Sequence, residues 1–167
     1  MRIAVYPGSF DPFTYGHLDI LERSLRLFDK VIVGVLLNPT KQCLLASSKR
    51  VELIKQAVAD HDNVVVDQFN GLLIDYCKKV GACAVIRGLR VVSDYEYELQ
   101  MTNINKQLAP DLETVFMMAA SQYSFLSSSI VREVARYGGN LATMVSPATI
   151  EELKRCFETT WKIKENK

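Results

Sequence analysis

The sequence predicts a single α/β domain, a doubly wound (Rossmann-like) fold with a five-stranded parallel sheet and helices on both faces. The first observation is that short, β-branched apolar runs recur along the 167 residues, at Ile3 to Tyr6, Lys30 to Leu37, Val64 to Asp67, Cys83 to Ile86 and Thr114 to Met118. The second is that segments with helical periodicity separate them. The third is that the runs lack polar alternation, which is typical of strands covered on both faces and therefore favours a parallel sheet.

Six helices are predicted between and after these strands, at His17 to Phe28, Ser48 to Ala59, Leu72 to Val80, Ser93 to Leu108, Ser128 to Tyr137 and Pro147 to Phe157. Some of their ends carry recognisable signals. The Ser93 to Glu96 segment has the pattern of a capping box and predicts that the fourth helix begins at Ser93. Gly138-Gly139 is expected to end the fifth helix, and Ser146-Pro147 to open the last one.

Length and charge limit the possible organisation and partners. A chain of 167 residues fits one domain, which we place at residues 1–161, followed by a polar C-terminal tail at 162–167. Lys and Arg number 20 against 19 Asp and Glu, so the net charge is +1. This balance offers no basic field for nucleic acid or a membrane surface, and we expect neither as a partner. Any phosphate group must be bound by locally placed cations and backbone amides.

The cysteines and histidines do not predict a metal centre. The four cysteines, Cys43, Cys77, Cys83 and Cys156, form no CxxC pair, and only two histidines are present. Neither a zinc site nor a thioredoxin-like motif has its usual spacing, so no metal-ligating residue is predicted. We expect reduced and mostly buried thiols.

The chain is expected to be cytoplasmic. It begins with the strand-like run Arg2 to Tyr6 and lacks the basic and apolar regions of a signal peptide. The longest apolar run, Val31 to Leu37, is too short to span a bilayer.

Polar and cationic residues follow the predicted strands, where the ligands of such sheets bind. The segments concerned are Gly8 to His17, Asn38 to Lys41, Arg87 to Arg90 and Ser121 to Ser129. Neither GxGxxG nor GxxxxGK[ST] occurs in the chain. Phosphate is nevertheless the expected ligand, because glycines allow backbone amides to approach an anion and helix N-termini face the same edge.

Four motifs in these segments carry a family resemblance. GSFDPFTYGH resembles the (T/S)xGH-type loop of the nucleotidyltransferases related to class I aminoacyl-tRNA synthetases. Together with NPTK, IRGLRVVSDYEYE and SFLSSSIVREV, in this order, it is similar over essentially the whole chain to the bacterial phosphopantetheine adenylyltransferases. The resemblance implies ATP and 4'-phosphopantetheine as substrates, dephospho-coenzyme A and pyrophosphate as products, Mg²⁺ as cofactor, a homohexamer and feedback inhibition by coenzyme A.

The same resemblance implies roles for individual residues. It assigns catalysis to His17, Lys41 and Arg90, and binding of the phosphopantetheine substrate to Ser9, Lys41, Leu73 and Arg87. It assigns ATP binding to Ser9, Phe10, His17, Gly88, Leu89, Arg90, Glu98, Tyr123, Ser124, Phe125, Leu126, Ser127, Ser128 and Ser129. Asp11-Pro12 is interpreted as shaping the loop and receives no chemical role.

The chemistry of adenylyl transfer agrees with this set of residue types. A phosphate acceptor is already an anion near neutral pH, since its second pKa is about 6, so no general base is needed. What remains is positioning and neutralisation of charge, for which a histidine, a lysine, arginines and hydroxyls are suited. The protonation state of His17 stays open at this point.

Two other interpretations remain from the sequence. A related adenylyltransferase acting on nicotinate mononucleotide, or a cytidylyltransferase, would share the GH loop, although the RGLR and SSS motifs and Lys41 favour phosphopantetheine. A non-catalytic nucleotide-binding module would be expected to lack His17 or Lys41, and both are present.

Overall fold

The computed structural model describes residues 1–37 and 42–165 and contains one parallel sheet. Its strands are β1 (Ile3–Gly8), β2 (Lys30–Leu36), β3 (Val64–Phe69), β4 (Ala84–Leu89) and β5 (Glu113–Met118). They lie in the order β3-β2-β1-β4-β5, and each neighbouring pair is parallel. The doubly wound α/β fold is therefore confirmed. The direction of winding reverses between β1 and β4, which is the position where this class of sheet opens a crevice for ligands.

The helices alternate with the strands and then continue beyond the sheet. They are α1 (Tyr15–Ser24), α2 (Ser47–Ala57), α3 (Leu73–Val80), α4 (Val92–Leu108), α5 (Ser128–Arg136), α6 (Pro147–Cys156) and α7 (Glu158–Glu165). A single 3₁₀ turn, Ser121–Tyr123, lies between β5 and α5. None of the helices in the two described stretches is long and apolar enough to cross a membrane.

Two apolar clusters cover the two faces of the sheet. Alternate residues of β1 point to opposite sides, so Ala4 and Tyr6 join one cluster and Val5 the other. The first cluster packs against α1 and α2 through residues such as Ile20 and Ile54. The second packs against α3, and its members include Val5, Ile32, Phe69, Tyr76, Cys77 and Val85. Helices therefore lie on both faces, as the uninterrupted apolar runs predict.

Two strands extend further than the sequence pattern indicates. Gly8 is the last residue of β1, and Arg87 to Leu89 pair in register with residues 116–118 of β5. The prediction that these residues follow their strands is wrong, because a glycine or an arginine can continue a ladder whose backbone hydrogen bonds are supplied by a neighbour. Arg90 is the first residue beyond β4. As a result, Arg87 and Arg90 stand at the end of a rigid strand.

The helix-start signals give mixed outcomes. Ser146 caps α6 by accepting a hydrogen bond from the Thr149 amide, with Pro147 in the first position, and Gly138 follows α5 with φ +65°. These predictions are confirmed. The capping box expected at Ser93 is wrong, because α4 begins one residue earlier, after Val91, without a side-chain cap.

A seventh helix, α7, follows α6 and was not predicted. It passes through Trp161 into the segment assigned to a polar tail. The Trp161 indole Nε1–H donates a hydrogen bond of 3.0 Å to the carbonyl oxygen of Ala135 in α5. Trp161 therefore packs on the body of its own chain, in an apolar cluster built by α5, α6 and α7.

Candidate active site

An open cleft of about 550 Å³ lies at the carboxyl ends of β1 and β4. The backbone of Gly8 and Gly88 contributes to its wall. Its lining residues are Tyr6, Pro7, Gly8, Ser9, Phe10, Asp11, His17, Arg87, Gly88, Arg90, Asp94, Glu98, Leu126, Ser127, Ser128, Ser129 and Arg132. The cleft therefore coincides with the point of reversed winding, and its walls come from the β1–α1 loop, the end of β4, α4 and the start of α5.

Hydrogen bonds to residues 44–50 fix the β1–α1 loop in position. Both oxygens of the buried Asp11 carboxylate accept backbone hydrogen bonds, from the amides of Leu44 at 2.8 Å and Leu45 at 2.9 Å. The buried Arg50 side chain of α2 donates to the Ser9 carbonyl at 2.5 Å and to the Leu45 carbonyl at 3.1 Å. These contacts join the loop to the segment that precedes α2, so that Ser9 is fixed in place.

The Phe10 ring occupies the space that a side chain on Gly8 would need. Phe10 has φ +47°, which is uncommon for a residue other than glycine, and its ring lies under Gly8. A Cβ on Gly8 would stand 2.8 Å from Phe10 Cζ, well inside van der Waals contact. The Phe10 ring in turn meets His17 edge-on, with centroids 5.2 Å apart. The tight turn therefore contributes to the position of His17.

His17 lies in the first turn of α1 and forms a capping box with Thr14. The Thr14 backbone N–H donates to His17 Nδ1 at 3.0 Å, and the His17 backbone N–H donates to Thr14 Oγ1 at 3.3 Å. Because Nδ1 accepts, the proton of the neutral imidazole resides on Nε2. Burial, with a further contribution from the Arg90 charge, lowers the pKa of His17 to about 4. His17 is thus a neutral hydrogen-bond donor at the wall of the cleft.

Each arginine that lines the cleft in the described chain is paired with a carboxylate. Arg87 Nε lies 3.1 Å from Glu98 Oε2, and Arg90 Nε lies 3.2 Å from Asp94 Oδ2. Arg132 Nη1 lies 3.6 Å from Asp11 Oδ2 and also donates to the Asp11 carbonyl oxygen. These pairs keep the guanidinium groups at the cleft wall.

The N-terminal end of α5 opens onto the same cleft. Ser127 caps the helix by accepting from the Ile130 amide at 3.1 Å, and Ser128 donates to the Pro12 carbonyl at 2.7 Å. The helix dipole and the first amides of α5 therefore favour an anion at this position. Ser128 also joins α5 to the β1–α1 loop, so two of the segments that line the cleft are in direct contact.

The structure brings most of the predicted site residues together. Those that line the cleft are Ser9, Phe10, His17, Arg87, Gly88, Arg90, Glu98, Leu126, Ser127, Ser128 and Ser129. Tyr123 lines a smaller adjoining pocket of about 50 Å³, which it shares with His17, Gly88 and Arg90. Among the remaining predicted residues, Leu89, Leu73, Ser124 and Phe125 do not line either space, and Lys41 lies outside the described residues.

The positions of these remaining residues have simple causes. Leu89 is buried in β4, and Leu73 packs against the second apolar cluster of the sheet. Phe125 is more than half exposed.

From the sequence, no role in the site was assigned to four charged or hydroxyl-bearing residues that line the cleft, Tyr6, Asp11, Asp94 and Arg132. Tyr6 lies within β1 and looks like a core residue in the pattern, and its side chain is indeed buried. Asp94 was interpreted as part of a helix start. Arg132 could have been found, because it follows Ser128 and Ser129 at the spacing that shares one helix face.

The sequence model of the cytidylyltransferase-like family matches residues 5–134, and the parallel doubly wound fold agrees with that match, so the chain is a nucleotidyltransferase of this family. The chain is 53% identical over 158 residues to the phosphopantetheine adenylyltransferase of Caldanaerobacter subterraneus subsp. tengcongensis, covering 95% of this chain and 99% of the relative. It is 51% identical over 157 residues to that of Geotalea daltonii, covering 94% and 98%. The chain belongs to the phosphopantetheine adenylyltransferase family.

More distant solved structures share the fold. A crystal structure assigned as a nicotinate-nucleotide adenylyltransferase from Vibrio parahaemolyticus superposes with a TM-score of 0.68 at 19% identity, covering 93% of both chains. A bifunctional NMN adenylyltransferase/ADP-ribose pyrophosphatase from Francisella tularensis, complexed with AMP and a manganese ion, gives 0.67 at 13% identity. It covers 99% of this chain and 53% of that one. At these identities the likeness concerns the fold alone.

Proposed function

We infer that this chain transfers AMP from ATP to 4'-phosphopantetheine and releases pyrophosphate, the step of coenzyme A biosynthesis that forms dephospho-coenzyme A. The family membership supports this reaction. The observation that carries the mechanism is that one cleft presents a neutral histidine donor, three arginines and the N-terminal end of α5 together. Such a set of donors suits a triphosphate and a second phosphate group.

The reaction itself needs few protein groups. An oxygen of the acceptor phosphate attacks the α-phosphorus of ATP, a new P–O bond forms there, and the bond from the α-phosphorus to the bridging β-oxygen breaks. Pyrophosphate leaves with the electron pair of that bond. Because the nucleophile is already ionised, the protein contributes alignment of the reacting atoms and stabilisation of the negative charge on the transferring group.

His17 is assigned to the transferring phosphate. Its Nε2–H donates to a non-bridging oxygen of the α-phosphate, where negative charge increases as the bond order changes. A neutral donor suits this role because its protonation state stays constant across the physiological pH range. The capping box with Thr14 holds the ring in one orientation, so little reorganisation is required on reaching the transition state.

The other predicted residues complete the two binding sites in this proposal. Arg90 and the serines at the start of α5 bind the β- and γ-phosphates, with Ser9, Gly88 and Glu98 beside them. Ser9, Arg87, Leu73 and Lys41 contact the phosphopantetheine substrate, as the resemblance implies. Phe10, Tyr123 and Leu126, which line the cleft or its adjoining pocket, are assigned to the ATP site. Leu89, Ser124 and Phe125 are assigned to it on the resemblance alone.

Mg²⁺ is proposed to enter as a complex with ATP. Mg²⁺ commonly keeps several waters and binds through substrate phosphates rather than in an all-protein cage. The cleft carboxylates Asp11, Asp94 and Glu98 already face arginines, and within residues 1–37 and 42–165 no cluster of three His, Cys, Asp or Glu side chains could hold a metal. In this proposal the phosphate oxygens of ATP would hold the ion. The metal supplies neutralisation of phosphate charge.

We propose that the chain assembles into a homohexamer. Exposed apolar side chains on α4 support an assembly, since Tyr95 and Leu99 on one face of the helix and Ile104 and Leu108 on the opposite face are between 37% and 52% exposed. Light scattering after size-exclusion chromatography tests the stoichiometry. The expected mass is six times the 18.8 kDa of the chain.

Coenzyme A is proposed as a feedback inhibitor and the cytoplasm as the compartment. Coenzyme A contains the phosphopantetheine and adenylyl parts of the product, so it is chemically suited to the same cleft. The four cysteines are free thiols, which is typical of proteins in a reducing compartment, where ATP is also available. Of the four only Cys77 is buried, so the expectation that the thiols are mostly buried is wrong. Competition of added coenzyme A against either substrate tests the inhibition.

The reaction is tested by pyrophosphate release from ATP and Mg²⁺ with 4'-phosphopantetheine, compared with nicotinate mononucleotide as acceptor. Release only with 4'-phosphopantetheine, with dephospho-coenzyme A identified by mass spectrometry, is the expected result. Release only with the mononucleotide would retain the chemistry and reject the acceptor. No release with either acceptor would favour a binding module.

A further inference from the structure

Arg90 forms three contacts with the Asp94 carboxylate. Its Nε lies 3.2 Å from Asp94 Oδ2, and its Nη2 donates to Asp94 Oδ1 at 3.2 Å. The Arg90 backbone N–H donates to Asp94 Oδ2, also at 3.2 Å. A single carboxylate therefore engages one edge of the guanidinium fork and the main chain of the same residue.

The second edge of the Arg90 guanidinium is also engaged. Nη1 donates to the carbonyl oxygen of Leu126 at 3.4 Å, so Arg90 connects the start of α4 to the loop before α5. Both side chains stay accessible from the cleft, with 36% of the Arg90 side chain and 25% of the Asp94 side chain exposed. The guanidinium is thus fixed in direction while part of the Arg90 side chain stays exposed at the cleft wall.

We propose that Asp94 is a positioning residue that orients Arg90 toward the triphosphate of ATP. Without Asp94, the long Arg90 side chain would sample many rotamers, and ordering it would oppose ligand binding. With Asp94 present, the Arg90 side chain is already ordered before the ligand binds, so binding loses less conformational entropy. The inference rests on the proposed function only in taking ATP as the ligand.

The repeated arrangement on α4 supports this role. Glu98 lies one helical turn after Asp94 and faces Arg87, with 3.1 Å between Glu98 Oε2 and Arg87 Nε. The two carboxylates on one helix face therefore oppose the two arginines at the end of β4. If Asp94 only stabilised the first turn of α4, there would be no reason for both carboxylates to be paired with the two arginines of β4 and its end.

The test measures binding of MgATP by titration calorimetry, in the absence of the acceptor, for wild type, Asp94→Asn, Arg90→Ala and the double variant. Asparagine keeps the size of the side chain and an oxygen that accepts from the Arg90 amide, but it loses the charge. Asp94→Asn is expected to raise the Kd for MgATP roughly tenfold, the size of one charge-assisted hydrogen bond. In the Arg90→Ala background the same substitution is expected to change the Kd less than about twofold, because its effect passes through Arg90.

An equal loss in both backgrounds, or no loss from Asp94→Asn alone, would overturn the proposal. Asp75→Asn is the matched control, since Asp75 occupies the first turn of α3, is exposed and lies outside the cleft. It is expected to leave the Kd unchanged. Wild-type protein that binds MgATP but releases no pyrophosphate with 4'-phosphopantetheine would reject the proposed function alone. Wild-type protein that fails to bind MgATP would reject both.

Discussion

Thr14 and His17 bind each other through their main chains and side chains in both directions. The Thr14 amide donates to His17 Nδ1 at 3.0 Å, and the His17 amide donates to Thr14 Oγ1 at 3.3 Å. A histidine here both caps α1 and lines the cleft, so the structural and functional interpretations of this residue are compatible. The geometry also assigns the neutral tautomer with its proton on Nε2.

The lowered pKa of His17 predicts a specific dependence of stability on pH. An unfolded histidine binds a proton below about 6.5, whereas burial holds the pKa of His17 in the folded protein at about 4. Between these two values the unfolded state binds more protons, so the free energy of unfolding falls as the pH falls. The contribution is at most about 3.5 kcal/mol, since the two pKa values differ by about 2.5 and each unit corresponds to about 1.4 kcal/mol.

Urea denaturation of wild type and His17→Gln at several pH values from 7 down to 4 measures this contribution. The glutamine variant is expected to lose less stability over that range, because its side chain does not titrate. Parallel curves for the two proteins would contradict the assignment of a neutral His17. In the same way, the turnover of the wild type is expected to show no His17 inflection near pH 6.5.

His17→Ala is expected to lower kcat by about 10²- to 10³-fold, the usual loss of a donor that acts on developing charge. Pyrophosphate release at saturating substrates measures the effect, with thermal unfolding as a check on folding. His61→Ala is the matched control, since His61 does not line the cleft and its Nε2 lies 3.4 Å from Glu22 Oε1. A His17→Ala enzyme with near-normal turnover would remove His17 from the chemistry.

Gly8→Ala is expected to reduce both stability and activity. The added methyl group would lie 2.8 Å from Phe10 Cζ, so the ring must move, and overpacking of this kind costs about 1–3 kcal/mol. Because Phe10 packs on His17, kcat is expected to fall as well. The double variant Gly8→Ala/Phe10→Leu, which removes the ring edge, is expected to recover part of both losses in denaturation and turnover assays. If the double variant recovered neither stability nor turnover, the losses of Gly8→Ala would not come from the contact with the Phe10 ring.

The sequence predicts the fold well because the five apolar runs and the helical periodicity are strong local signals. It also predicts the edge of the sheet that carries the site, since His17, Arg87 and Arg90 all lie there. The exact strand ends were less predictable, because Gly8 and Arg87 do not look like strand residues. Their pairing depends on neighbouring strands that a local pattern does not contain.

Contacts between distant segments explain what remained unpredicted. Asp11 meets the amides of Leu44 and Leu45 and the side chain of Arg132, partners that are separated from it by 33 to 121 residues. Asp11 was therefore interpreted as a turn residue. The helix α7 is short and polar, and it is stabilised by Trp161 packing on α5, which no periodicity reveals.

Asp11→Asn is expected to destabilise the protein by roughly 2–4 kcal/mol. The buried carboxylate accepts two amide hydrogen bonds and faces Arg132, and the asparagine amide group cannot accept the second bond or offset the charge. The urea midpoint measures the loss. Asp62→Asn, at an exposed turn position, is the control and is expected to change little. An unchanged midpoint for Asp11→Asn would show that these buried contacts contribute no net stability.

Trp161→Phe tests the docking of α7 on α5. Phenylalanine keeps an aromatic ring in the apolar cluster but loses the 3.0 Å hydrogen bond to the Ala135 carbonyl. The Ala135 carbonyl retains the amide of Gly138 as a partner, so only about 1 kcal/mol is expected to be lost. For a chain of this size the melting temperature should then fall by about 2–4 °C, measured by calorimetry. Tyr137→Phe also removes a polar group from an aromatic side chain, but Tyr137 is 67% exposed, so no shift is expected. An equal shift in both variants would indicate that the hydrogen bond does not stabilise the docked helix.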